Sequence, residues 1–230
     1  MVPADAEIVI EGYVPRDVLE ADGPFGEYTG YSGPQVAAPV VNVTSITMRK
    51  GALYHDYGSG LTDMLVPDNM TMEGKVYGLC KQVAPSVTNV HVPAQGRRFH
   101  GYIQVENPGP GEVRDALMAA LSYRRLKMAI AVDKDIDIFD DSEMMFALAT
   151  RVQWSRDSFT VDGLSGSLLD PSTPAGSKTL SKIGIDASLP LPGRPGAPPP
   201  VPPRSIVPQD AMDNAAKILS GTDMSGWPTL

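Results

Sequence analysis

Between Met128 and Val132 the chain reads Met-Ala-Ile-Ala-Val without a polar residue, then meets acids at Asp133, Asp135 and Asp137. An uninterrupted apolar run of strand length is suited to burial on both faces, the condition of a strand inside an α/β sheet. The flanking sequence supplies the covering layers. From Asp68 to Val83 the apolar positions Met72, Val76, Leu79, Cys80 and Val83 recur at three and four, the period of an amphipathic helix. Glu112 to Ser122 is a second helix with Val113, Leu117, Ala120 and Leu121 inward, and Glu143 to Thr150 a third, capped by Asp141 or Ser142. Strands are expected at Val87 to Val92 and Phe99 to Glu106. Strand and helix thus alternate, which predicts an α/β domain with a helix-flanked, mainly parallel sheet.

The first fifty residues have a different grammar, so the whole chain is α+β, with a short antiparallel part ahead of that sheet. Glu7 to Val14 and Val40 to Arg49 are rich in β-branched residues, and the second run ends at a Lys50-Gly51 turn, predicting a partner strand near Ala52 to His55. Between the two lies Asp22-Gly23-Pro24-Phe25-Gly26-Glu27, followed by Tyr28-Thr29-Gly30-Tyr31. Two glycines and a proline in six residues impose a tight, fixed path. Such a path brings acids five positions apart onto one side of a loop, where a helix would turn them about 140° from each other. Neighbouring carboxylates cannot both ionise freely, so one is expected to hold its proton to higher pH beside a permanent anion, an arrangement suited to proton transfer at carbon. A solvated surface turn is the plainer reading.

Composition narrows the function classes. With 230 residues and 42% hydrophobic content the chain can bury a sizeable core. Its 19 basic residues against 27 acids, net −8, offer no general basic face for nucleic acid. No run of eighteen apolar residues occurs, and Asp5 and Glu7 stand where a secretory leader would be basic, so a cytoplasmic protein is expected. Cys80 is the single cysteine, which excludes a disulfide framework and is read as a buried, inert thiol.

Asp133, Asp135 and Asp137 could present oxygens to a hard cation, but Ile138 and Met144 stand where a calcium loop needs glycine and glutamate; a capping role is preferred and no metal site is assigned. His55, His91 and His100 are scattered without a helical metal-site spacing. Arg151 has two readings, a bidentate clamp on a carboxylate ligand or a salt bridge to the aspartate cluster. From Leu189 to Pro208 proline dominates and predicts an extended arm, with a ligand for SH3-type domains as the alternative. Gln209 to Leu219 then has helical spacing and reads as a clasp for another subunit.

Three separated segments carry a family resemblance. The run Val2-Pro3-Ala4-Asp5-Ala6-Glu7-Ile8-Val9-Ile10-Glu11-Gly12 through Tyr31, the block Ala129 to Ile138 with Phe146-Ala147-Leu148-Ala149-Thr150-Arg151, and Leu168-Leu169-Asp170-Pro171-Ser172 with Lys182-Ile183-Gly184-Ile185-Asp186-Ala187 resemble, in order, the UbiD-type decarboxylases. The resemblance spans roughly residues 1 to 190 and corresponds to the second half of such enzymes. It implies an α/β domain attached to a β-barrel cofactor domain, with residues 1–50 completing a partner's cofactor domain, 51–188 forming the α/β domain, 189–208 a linker and 209–230 a C-terminal helix and tail.

What the resemblance implies for function is reversible (de)carboxylation of an aromatic or α,β-unsaturated acid on prenylated FMN. Glu27 would be the proton donor and Asp22 its catalytic neighbour. Asp22 stands where most relatives have glutamate, and its reach is shorter by about 1.5 Å. Pro24 and Phe25 would contact the cofactor, and Tyr28, Asp68, Asn69, Ser167 and Leu169 would line the substrate pocket. The residues that hold the cofactor, Mn2+ and K+ in relatives precede this segment. Two explanations follow: a split enzyme whose partner subunit supplies the first half, in a hetero-oligomer with dimerised C-terminal domains, or a non-catalytic assembly or regulatory subunit. Retention of both acids favours the enzyme.

Overall fold

The computed structural model describes residues 1–174, 176–190 and 202–221. Two antiparallel ribbons come first: β1 (Ile8–Tyr13), β2 (Leu19–Asp22), β3 (Val36–Pro39) and β4 (Asn42–Met48) pair as β1 with β4 and β2 with β3. Ile10 lies directly across from Ile46 and Ile8 from Met48, so one face carries an apolar stripe. The strand expected at Ala52 to His55 is absent, because β4 takes β1 as its partner. Instead the Glu7 carboxylate accepts from the Arg49 guanidinium at 2.9 Å and from the Leu53 N–H at 3.1 Å, folding that segment across the end of β1.

The helix α1 (Thr62–Val83) begins six residues before the periodic pattern does. Pro67 stands inside it but in the second turn, where the missing N–H leaves only the Asp63 carbonyl without its helical donor. Leu65, Asn69, Met72, Val76 and Cys80 face inward. The helix ends before Pro85, and Lys81 donates to the carbonyls of Pro85 (2.7 Å) and Val87 (2.6 Å), satisfying the turn into β5 (Val87–His91). There follow β6 (His100–Val105), α2 (Glu112–Ser122), β7 (Met128–Asp133), α3 (Asp141–Arg151), the short α4 (Trp154–Asp157), β8 (Ser158–Ser165) and β9 (Thr179–Asp186).

These strands make one five-stranded sheet in the order β5-β6-β7-β9-β8. Its interior pairings β6–β7 and β7–β9 are parallel, and the edges β5 and β8 are antiparallel. One face packs under α1 and α2 around Val76, Ile103, Leu117 and Leu121. The other closes around Ile130, Val132, Ile136 and Met144 beneath α3. β7 is therefore covered on both sides, as its unbroken apolar run requires. Each large aliphatic side chain buried here contributes about 1.5–3 kcal/mol.

The acids after β7 have three separate uses. Asp137 accepts from the Phe139 N–H (2.9 Å), Asp135 is gripped by both terminal nitrogens of Arg151, and Asp133 accepts from the Leu189 N–H. The strand ends at Asp133, so the three do not share one face. Arg151 is thus occupied by the cluster, not by a ligand. The cap of α3 is Asp140, one residue before the expected position, accepting from the Ser142 N–H at 2.7 Å. Cys80 is buried, and burial pushes its thiol up to about 12.

The chain divides into two compact units, Met1–Leu189 and Pro190–Leu230. The second contains α5 (Gln209–Ser220), with Met212, Ile218 and Leu219 exposed. Most of the proline arm (191–201) and the tail (222–230) lie outside the described residues. Among the described residues no helix is long and apolar enough to cross a membrane.

Candidate active site

The acidic loop is a compact turn built mainly by backbone bonds. Asp22 is the last residue of β2, paired with Val36, and is held by the ladder; the ribbon stops where Gly23-Pro24 turns the chain. Beyond it the Glu27 N–H donates to the Tyr31 carbonyl, the Gly30 N–H to that of Glu27, and the Gly33 N–H to that of Phe25, each at 2.9 Å. Glu27 is half-buried and its side chain lies over Gly33, where an added Cβ would stand 3.3 Å from Glu27 Cγ. Gly60 closes the other side. It holds φ +73°, and a Cβ there would come within 2.9 Å of the Glu27 carbonyl, so the stretch before α1 can lie against the acid loop only as glycine. Among the described residues neither Asp22 nor Glu27 makes a side-chain hydrogen bond or ion pair. Asp22 is exposed. Pro24 and Phe25 are exposed too, with Phe25 at 51%.

Tyr28 links this loop to the α/β part. Its ring is 5% exposed, packs against Phe99 with centroids 6.0 Å apart, and lies under the guanidinium groups of Arg98 (4.8 Å) and Arg125 (5.6 Å). Its hydroxyl shares a 2.6 Å hydrogen bond with Ser167 Oγ, which also accepts from the Leu169 N–H at 3.3 Å. Arg98, buried, forms an ion pair with Asp68. Four of the five residues expected in the substrate pocket, Tyr28, Asp68, Ser167 and Leu169, are therefore joined through the Tyr28 ring and hydroxyl. Asn69 points the other way, donating to the Val92 carbonyl at 2.8 Å, with its own Oδ1 buried and without a partner.

The Ser167 loop is anchored from below. Burial pushes the Asp170 carboxyl up, but Lys127 at 2.8 Å and the N–H and hydroxyl of Ser172 outweigh that and hold it below the usual carboxylate range. In β9, Lys182, 1% exposed, donates to the carbonyls of Leu121 (2.8 Å), Tyr123 (2.8 Å) and Arg124 (3.4 Å), capping the end of α2. Burial lowers this ammonium to about 8.

Next to Tyr28 opens a cleft of about 420 Å³ lined by Asp68, Thr71, Met72, Lys75, Arg98, Tyr123, Arg124 and Arg125. Only Asp68 was expected there from sequence. The arginines were missed because their use is tertiary; the adjacent pairs Arg97-Arg98 and Arg124-Arg125, each where an element begins or ends, were the available signal.

Comparison with known proteins identifies the family. The profile of the 3-octaprenyl-4-hydroxybenzoate carboxy-lyase Rift-related domain matches residues 1–61, and that of the C-terminal domain matches residues 68–187. The anhydromevalonate phosphate decarboxylase of Methanosarcina mazei is 34% identical over 185 residues, covering 80% of this chain and 43% of that protein. The UbiD-class enzyme HmfF from Pelotomaculum thermopropionicum, solved with FMN, superposes with a TM-score of 0.81 at 35% identity over 99% of this chain and 48% of its own. Vanillic acid decarboxylase from Sedimentibacter hydroxybenzoicus, in its open form, gives 0.77 at 26% identity over 96% and 48%. The chain thus spans about half the length of the proteins it matches. By both domain profiles and by fold, it belongs to the UbiD family of carboxy-lyases.

Proposed function

We propose that this chain forms the acid-bearing half of a decarboxylase that acts, reversibly, on an α,β-unsaturated or aromatic carboxylic acid with prenylated FMN. The observation that carries the reading is Glu27: a half-buried carboxylate fixed by backbone bonds, free of ionic partners among the described residues, beside the exposed Pro24 and Phe25. An exposed proline and phenylalanine next to such an acid fit the edge of a planar apolar ring system. When bound, the prenylated flavin supplies the electron sink that lets the carbon–carboxylate bond break. Glu27 then delivers a proton to the substrate carbon left by CO2, and removes it in the reverse direction. Asp22, on the adjoining strand end, orients incoming groups and keeps the local field negative. Tyr28, Ser167 and Leu169 wall the substrate space, with Asp68 at its far side and Asn69 behind it.

The ribbons support a partner. Ile10 is 62% and Ile46 57% exposed although they pair across the ladder, and two-stranded ribbons of this kind are marginal alone. We assign their apolar face to the family's other half, carried on a second subunit of a hetero-oligomer, with α5 as a contact between C-terminal parts. Mn2+ and K+ are assigned to that other half as well. A cytoplasmic location is in keeping with one buried, unpaired cysteine.

The test is Glu27→Gln in the complete assembly. Turnover and CO2 exchange should fall by about 10²–10⁴-fold, the span of a general acid. Retention of full turnover removes Glu27 from the chemistry and favours the non-catalytic subunit. Flavin absorption retained only when both halves are present supports the shared site.

A further inference from the structure

The cleft beside Tyr28 concentrates positive charge in a chain whose net charge is −8. Lys75, Arg98, Arg124 and Arg125 face Asp68 as the only lining carboxylate, and among the described residues Lys75, Arg124 and Arg125 have no acidic partner. Such a grouping repels itself unless an anion occupies it. The cations are also held in place before any ligand arrives. Tyr28 carries Arg98 and Arg125 on its ring, and Arg124 Nε donates to the Gly166 carbonyl at 2.8 Å. Arg98, its side chain 5% exposed, has an Nε that is buried without a partner.

We propose that this cleft is a subsite for a phosphate ester, the non-reacting anionic end of the substrate. Three unneutralised cations, with the Thr71 side chain beside them, match the charge and the several terminal oxygens of a phosphate dianion, whereas a carboxylate needs one bidentate arginine. The volume of about 420 Å³ falls within the range of small-molecule sites and leaves room for carbon attached to the phosphate. The link to the substrate is Tyr28, which follows Glu27 in sequence and forms the floor beneath two of the arginines. Lys182 is a positioning residue for the site, since its bonds to the Tyr123 and Arg124 carbonyls fix the turn that presents Arg124 and Arg125.

This assignment of a substrate group rests on the decarboxylase reading, so the test separates the two. Inorganic phosphate is titrated into the full chain by calorimetry, for wild type, Lys75→Gln, Arg125→Gln and, as a control outside the cleft, Lys134→Gln. Lys75 and Arg125 are exposed, so their variants retain the fold. Each should weaken phosphate by about tenfold, the loss of one charged hydrogen bond, while Lys134→Gln binds as wild type. Undetectable binding, or equal binding by all four, overturns the proposal whatever the assembly catalyses. In the complete assembly, Lys75→Gln should raise KM about tenfold for a phosphorylated unsaturated acid with kcat unchanged, and leave KM for the unphosphorylated acid alone. An assembly that decarboxylates neither acid while the titration succeeds refutes the decarboxylase reading and leaves the anion site standing. FMN, but not riboflavin, losing affinity in both cleft variants would give the site to the cofactor's phosphate and overturn the substrate assignment.

Discussion

The strands of the amino-terminal ribbons and those of the α/β body are similarly rich in β-branched residues, yet the two parts solve burial in opposite ways. In the body, the apolar runs of β6 and β7 are sealed on both faces by helices, and Ile103, Leu117 and Leu121 are fully buried. In the ribbons, among the described residues, Tyr28 is the only buried hydrophobic side chain before Leu65, while Ile10, Tyr13, Leu19, Val43, Ile46 and Met48 all stand in solvent. The difference teaches where each part draws its stability. The body supplies its own core; the ribbons hold to it through the Tyr28 contacts and leave an apolar face exposed. The candidate acids, Asp22 and Glu27, sit on the unfinished part.

That contrast can be broken by experiment. The largest stability effect is expected in the body: Leu117→Ala should cost about 2–5 kcal/mol in denaturant unfolding, because the site is closed and cannot collapse. Lys182→Met should cost about 1–3 kcal/mol by stranding carbonyls at the end of α2, and the wild-type pH profile carries its mark. The ammonium binds its proton less tightly folded, near 8, than its ordinary 10.5, so the unfolded chain holds more protons in between and stability rises with pH across that window. Asp170 works in the acid direction. Its folded value lies below the ordinary 3.8, so its contribution is present above that value and is lost as pH falls through the lower folded one; near-ultraviolet dichroism during acid titration reads it. The smallest effect is the sharpest discriminator: Ile10→Ser should shift the stability of the chain alone by no more than about 0.5 kcal/mol, while weakening its association with the second subunit proposed above. Equal destabilisation by Ile10→Ser and Leu117→Ala would show that the ribbons fold as part of one core.

Legibility in the sequence followed the same division. Helix α2 begins and ends at the residues its period and Gly111 indicate, and β7 is one residue longer than its apolar run. Both elements answer to burial by near neighbours, which leaves a periodic trace. α1 was harder at its start, since Pro67 resembles a stop signal and the turn before it is held by packing against the acid loop. β8 and β9 have no clean alternation: Gly163 interrupts the one, and the other buries a lysine whose reason is three carbonyls from another element. In the candidate site, Glu27 and Tyr28 were visible through their Gly-rich setting and family likeness. Arg98 and Arg125 were not, because an arginine seated on a ring sixty or more positions away leaves no local pattern.

Among the described residues the β1–β4 ribbon has unpaired backbone on both outer edges, and its face carries an isoleucine-rich stripe. Copies synthesised in excess of whatever covers that stripe would meet one another first, edge against edge, and short strands of this composition stack readily. A cell that makes this polypeptide would then gain from producing it in step with the second subunit proposed above, since the free chain at high concentration is the form open to self-association.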